Sequence, residues 1–192
     1  PETVPIAVSA GAGQARAIGR TISAAQLSRL KSSLEEANAR LSGVSVTSEL
    51  AEVSALFGQS DESPLTMPLA IVVSSVAGGS GSGMFLDVVE ALKTVDADFA
   101  SPDGIITVLY TPDVFNSIGG AGGQIPPNTL AAIMEVTAGV LAPGLSEASA
   151  SILSSRGLVK HSRHGFGAKC NFLVGASNKN VVPGTASQVG VT

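Results

Sequence analysis

Apolar residues recur along this chain in two rhythms. Between Thr21 and Leu41 they step by three and four, at Leu27, Leu30, Leu34, Ala37 and Leu41, which marks one face of a helix. Ser23 with Gln26 makes a capping box for that helix, and Gly43 a C-terminal stop. A shorter helix is expected over Ser48 to Phe57, closed by Gly58, with Gln59 to Pro68 as a polar linker. From Leu69 to Val76 the rhythm changes to a run that stays apolar until Ser74 and Ser75, as in a parallel strand covered on both faces. A helix follows from Met84 to Lys93, carrying Phe85, Leu86, Val88, Val89 and Leu92, and then a strand from Gly104 to Tyr110. Strand, helix and strand at this spacing predict a right-handed βαβ unit. Pro126 and Pro127 suit the first turn of a helix running through Leu130, Ile133, Met134, Val140 and Leu141. Another helix is expected over Ser146 to Ser155, stopped by Gly157, and a strand over Lys169 to Ala176. The alternation predicts an α/β fold, a three-layer, doubly wound and mostly parallel sheet.

Between the strand ending at Val76 and the helix from Met84 lies Ala77-Gly78-Gly79-Ser80-Gly81-Ser82-Gly83. A glycine-rich turn that leaves a strand and opens a helix can bring successive backbone N–H groups onto one anion, with the helix dipole adding about half a positive charge. The Walker pattern requires Gly-Lys-Ser/Thr, but Gly83 is followed by Met84. The dinucleotide fingerprint requires a third glycine, and both candidates fail it: Met84 follows Gly79-Ser80-Gly81 at that place, and Arg16 follows Gly11-Ala12-Gly13. Gly11, Ala12, Gly13 and Gln14 precede the long helix, so a second set of amides can face the same anion, with Arg16 and Arg20 adding charge. Arg20 is either a phosphate contact or a surface residue at the helix start. The hydroxyls of Ser80 and Ser82 are expected to donate to phosphate oxygens, since no histidine or acid is placed to make either a nucleophile.

The turn resembles the tubulin signature, small-Gly-Gly-Thr-Gly-Ser/Ala-Gly, with Ser80 at the threonine position; six of seven positions agree and the seventh keeps its hydroxyl. Ala10 to Arg20 resembles the loop of the bacterial division protein FtsZ that senses the terminal phosphate. Thr111-Pro112-Asp113 follows a strand where the family has its ribose-side loop, and Ser177-Asn178 follows one where an asparagine often touches ribose or base. The similarity, strongest to bacterial tubulin-like proteins, spans most of residues 9–180.

That resemblance implies a tubulin/FtsZ-type GTPase domain with GTP or GDP as cofactor, accompanied by Mg2+. The implied nucleotide-binding residues are Gly11, Ala12, Gly13, Gln14, Ala77, Gly78, Gly79, Ser80, Gly81, Ser82, Gly83, Pro112, Asp113 and Asn178. It further implies self-association into a homo-oligomer or filament, with the water-positioning acid supplied by the adjacent subunit, so no catalytic residue is assigned within the chain. Residues 1–192 are expected to form a single domain, incomplete at both ends. The first phosphate loop should lie before Pro1, and the central helix with its acidic loop after Thr192. Two alternatives stay open. One is a degenerate nucleotide-binding or structural scaffold of the same fold, favoured by Ser80 and by an insertion before the strand at Asn171. The other is an oxidoreductase, which lacks its glycine fingerprint and its acidic ribose anchor.

Composition narrows the setting. A chain of 192 residues can bury a sizeable core. No stretch approaches the roughly 18 apolar residues of a membrane span, and Pro1-Glu2-Thr3 does not begin a signal peptide, so a cytoplasmic location is expected. The single cysteine, Cys170, forms no internal disulfide and is expected in core packing. A net charge of −4, no tryptophan and the lone tyrosine Tyr110 argue against nucleic acid. From Ala148 to Thr192 there is no acidic residue, while Arg156, Lys160, Arg163, Lys169 and Lys179 are basic; this stretch is a solvated loop or a contact for an acidic partner. The same charges disfavour a metal between His161 and His164. Asp87 and Glu90 are expected on an exposed helix face.

Overall fold

The computed structural model describes residues 12–41, 43–58, 68–101, 103–115, 125–141, 151 and 167–176. Among them the chain runs α1 (Arg16–Leu41), α2 (Val44–Leu56), β1 (Ala70–Ser75), α3 (Gly79–Val95), β2 (Ile105–Tyr110), a 3-10 turn (Pro112–Phe115), α4 (Ile125–Leu141) and β3 (Cys170–Val174). The strands form a parallel sheet in the order β1-β2-β3. This is the α/β architecture expected from the alternation of apolar runs. The helix expected over Ser146 to Ser155, apart from Ser151, lies outside the described residues, as do Gly11, Asn178, both histidines and all of the basic stretch except Lys169.

Side chains alternate across a strand, and the alternation divides the sheet into two unlike faces. Val72 and Leu109 point to the side where α3 and α4 lie, packing with Val76, Phe85, Leu86, Ala132 and Val136. Val89, Leu92, Phe99, Ile105 and Ala168 continue this core toward the far end of α3. Each large apolar side chain buried there contributes roughly 1.5–3 kcal/mol. Ile71 and Val73 point the other way and are 59% and 62% exposed among the described residues. The expected cover on both faces of β1 is therefore seen on one only, because α3 and α4 stand on the same side.

Three boundaries differ from expectation. α1 starts at Arg16 and buries Gly19, Ser23 and Leu27, a stripe of period four turned toward α3. Ser23 is thus a packed mid-helix residue and not a cap. α2 starts at Val44, with Gly43 as its N-cap, and buries no residue. α3 starts at Gly79, five residues before the expected Met84. No helix among the described residues is long and apolar enough to cross a membrane.

Candidate functional site

The two glycine turns, far apart in sequence, meet beyond the carboxyl end of β1, where parallel α/β sheets bind their ligands. Gly13, at φ 53°, takes the left-handed turn that leads the chain toward α1, a conformation that favours glycine. Its carbonyl accepts the Gly79 amide at 2.8 Å. The Ala12 amide donates to Ser80 Oγ at 3.4 Å. Ala12, Gly13 and Gln14 therefore sit against the turn from Ala77 to Gly83, as the anion reading requires.

Packing accounts for most of the glycines. A Cβ on Gly79 would lie 2.6 Å from the Ala15 nitrogen, one on Gly83 2.5 Å from the Arg16 oxygen, and one on Gly81 2.5 Å from the Ser75 oxygen. On the facing helix, a Cβ on Gly19 would lie 2.2 Å from the Gly79 oxygen. The contacts of Gly19, Gly79 and Gly83 hold the start of α1 backbone to backbone against α3, that of Gly81 seats α3 on the end of β1, and together they compensate for glycine's poor helix propensity. That is why residues 79–83 are helical where a loop was expected. Gly78 differs: the nearest atom to its Cβ position is the Gly13 oxygen at 3.9 Å. Its missing side chain serves no packing contact, and it leaves the approach to the turn open.

An account of the donors at this end is informative, because the first amides of a helix have no partner within it. Gly78 is the N-cap of α3, extended and without a side-chain cap, and the first turn carries no acidic residue. Ser82 N–H donates to the Gly78 oxygen at 3.2 Å, and Gly79 N–H is taken by Gly13. The Ala77 amide donates to Ser75 Oγ at 3.1 Å. The amides of Gly78, Ser80 and Gly81 have no acceptor among the described residues, and neither do those of Arg16 and Ala17 at the start of α1. Ser80 Oγ accepts from Ala12 and keeps its own proton to donate. Ser82, contrary to expectation, is buried and donates its hydroxyl to the Gly78 oxygen at 2.5 Å. It closes the turn and does not face a ligand.

Behind the turns lies a charge cluster. Arg16 donates through Nε to the Ser82 oxygen at 2.9 Å and grips both carboxylate oxygens of Glu135 on α4. Arg20 stands 3.4 Å from Asp87 and 3.8 Å from Glu135. Both arginines expected near the anion are thus turned toward carboxylates. Asp87 and Glu90, expected on the surface, are buried, because α1 covers one side of α3 and the segment around Gly167 covers the other. Burial pushes the Asp87 carboxyl above its ordinary value, with the Arg20 charge opposing.

Pro112 and Asp113 lie in the 3-10 turn after β2. The Asp113 carboxylate accepts from the Thr111 hydroxyl through one oxygen and from the Ala176 amide, at 2.7 Å, through the other. The Thr111 hydrogen bond, aided by backbone donors, holds its carboxyl below the ordinary value. It ties the ends of β2 and β3 together.

One residue at the centre of the site was missed by the sequence reading. Asn128, in the first turn of α4, donates its side-chain amide to the Gln14 oxygen at 2.7 Å and the Ala77 oxygen at 3.3 Å. Thr129 Oγ1 stands 3.2 Å from the Val76 oxygen. An asparagine after Pro126-Pro127 signals only a helix start, and its partners are far away in sequence.

A parallel sheet with a glycine turn at the carboxyl end of β1, opening into an uncapped helix beside a second glycine turn, is an arrangement common among α/β nucleotide-binding folds. A family model described as tubulin-like matches residues 1–182. The chain belongs to that tubulin-like family. No curated protein and no solved structure matches it.

Proposed function

We propose that this protein binds a guanine nucleotide, GTP or GDP, with its phosphates on the amides of Gly78, Ser80 and Gly81, and that it self-associates in a nucleotide-dependent way. The carrying observation is that these three amides have no acceptor among the described residues, at an uncapped helix start beside a second glycine turn. Orphan donors at such a place suit an anion, and the helix dipole adds to them. Membership of the tubulin-like family supports the guanine base and the self-association. Ser80 Oγ and the amides opening α1 would add contacts to the terminal phosphate. Gly11, Pro112, Asp113 and Asn178 complete the proposed set, Asp113 acting by shaping its turn. Bound Mg2+ would neutralise phosphate charge. It would be held through the phosphate oxygens, since the described residues contain no group of three or more His, Cys, Asp or Glu able to hold a metal. Hydrolysis would await the neighbouring subunit.

A second reading, a scaffold of the same fold without hydrolysis, is favoured by the engagement of the Gly79 amide and the Ser82 hydroxyl inside the protein. The full-length protein separates the two. Denaturing it should release GTP or GDP, and light scattering should show GTP-dependent assembly. Nucleotide without assembly supports the scaffold in its nucleotide-binding form; no nucleotide and no binding overturn the first reading and leave only a purely structural scaffold. Gly78→Val, at the one glycine of the turn that packing does not demand, should weaken GTP binding at least about tenfold at an unchanged melting temperature.

A further inference from the structure

The site depends on two turns holding their spacing, and a side chain of α4 bridges them. Asn128 is 6% exposed, and its side chain donates to one carbonyl from each turn, Gln14 at 2.7 Å and Ala77 at 3.3 Å. A primary amide nitrogen has two protons, so one side chain serves both acceptors at once. Without it, the side-chain bridge between the two turns would be lost and the Ala77 carbonyl would give up its donor, so the turns could move apart. α4 reinforces the same junction two turns later, where Glu135 grips Arg16 and through it the Ser82 carbonyl.

We propose that Asn128 is a positioning residue of the phosphate site: it sets the separation of the two glycine turns and so makes their amides converge on a polyphosphate. The inference rests on the nucleotide reading above and deepens it. Asn128 touches no phosphate itself, and its chemistry explains why an amide stands there. A carboxylate would bring negative charge against two carbonyls, and a hydroxyl has a single proton to give.

The test uses the full-length protein and Asn128→Asp, with GMP, GDP and GTP as probes. Each added phosphate should strengthen binding to the wild type. In the variant the gain in affinity from GMP to GTP should shrink at least about tenfold with the melting temperature within a few degrees. Hydrogen exchange at the Gly79 amide, which donates to Gly13, should become faster in the nucleotide-free variant. An undiminished GMP-to-GTP gain overturns the inference. An equal weakening of all three nucleotides also overturns it, since a merely structural role predicts that. If Asn128→Asp does not fold, Asn128→Ser, which keeps one donor, should show an intermediate gain, and an unchanged gain there overturns the inference. A wild type that binds none of the three overturns the nucleotide reading itself; Gly79 exchange then decides, on its own, whether Asn128 spaces the turns.

Discussion

In the second half of α3, Glu90 is buried and partnered: its Oε1 takes both Lys93 Nζ and the Gly167 amide, each at 2.7 Å. One turn nearer the glycines, Asp87 is equally buried, but among the described residues neither carboxylate oxygen makes a hydrogen bond of normal geometry, nor does the Ser23 hydroxyl beside it. Arg20, 3.4 Å away, is its main balancing charge. The glycine end also holds the open amides of Gly78, Ser80 and Gly81. One half of the helix is a finished core, with Val89, Leu92, Phe99 and Ile105 around it. The other is held by backbone contact and leaves polar groups unanswered. Buried polar groups without partners are uncommon in proteins; among the described residues three of the four such side-chain atoms, on Ser23 and Asp87, lie beside this half of the helix, and the fourth, Ser101 Oγ, is in the turn after α3.

The sharpest way to break this contrast is at the backbone contact. Gly19→Ala places a methyl 2.2 Å from the Gly79 oxygen, and neither backbone can yield without moving α1. We expect a loss of about 3 kcal/mol in a denaturation experiment, with nucleotide affinity falling as well. A small loss would mean that α1 is not seated as described.

The two carboxylates sharpen it further, because equivalent changes should have opposite signs. Glu90→Gln keeps an acceptor for Gly167 but removes the charge beside Lys93, which is only 9% exposed, and should cost about 2 kcal/mol at neutral pH. Asp87→Asn should be neutral or stabilising by up to about 1 kcal/mol there. The sign follows from linkage: Asp87 has its folded pKa raised above 3.8, so the folded protein binds that proton more tightly than the unfolded chain. The stability it contributes is complete below about pH 4 and is lost as pH rises through the raised value. Asp87→Asn should remove that decline from the pH–stability profile, and an unaltered profile would count against it.

Much of this was legible in the sequence, and the failures have physical causes. The unbroken runs at Leu69 and Gly104 located β1 and β2, and the chain order through Lys169 to Ala176 located β3. The sequence aimed the amides of both glycine turns at one anion, and the structure brings the two turns into contact through Gly13 and Gly79. The start of α3 was not, because glycine argues against helix, and only the tertiary contact between Gly79 and Ala15 reverses that preference. The start of α1 was missed for a related reason: its first buried residue, Gly19, leaves no mark in a hydrophobic pattern. Burial of Asp87 and Glu90 depends on which elements surround α3, and local pattern does not reveal it. Asn128 was invisible because its meaning lies in Gln14 and Ala77.

The most direct measurement follows backbone amide resonances of the isotope-labelled full-length protein during titration with GDP. The account predicts large, saturable shifts at Gly78, Ser80 and Gly81, and much smaller ones at Lys93 and Val95 at the other end of the same helix. Saturable GDP binding that leaves those three amides unmoved, or no binding at all, would contradict it.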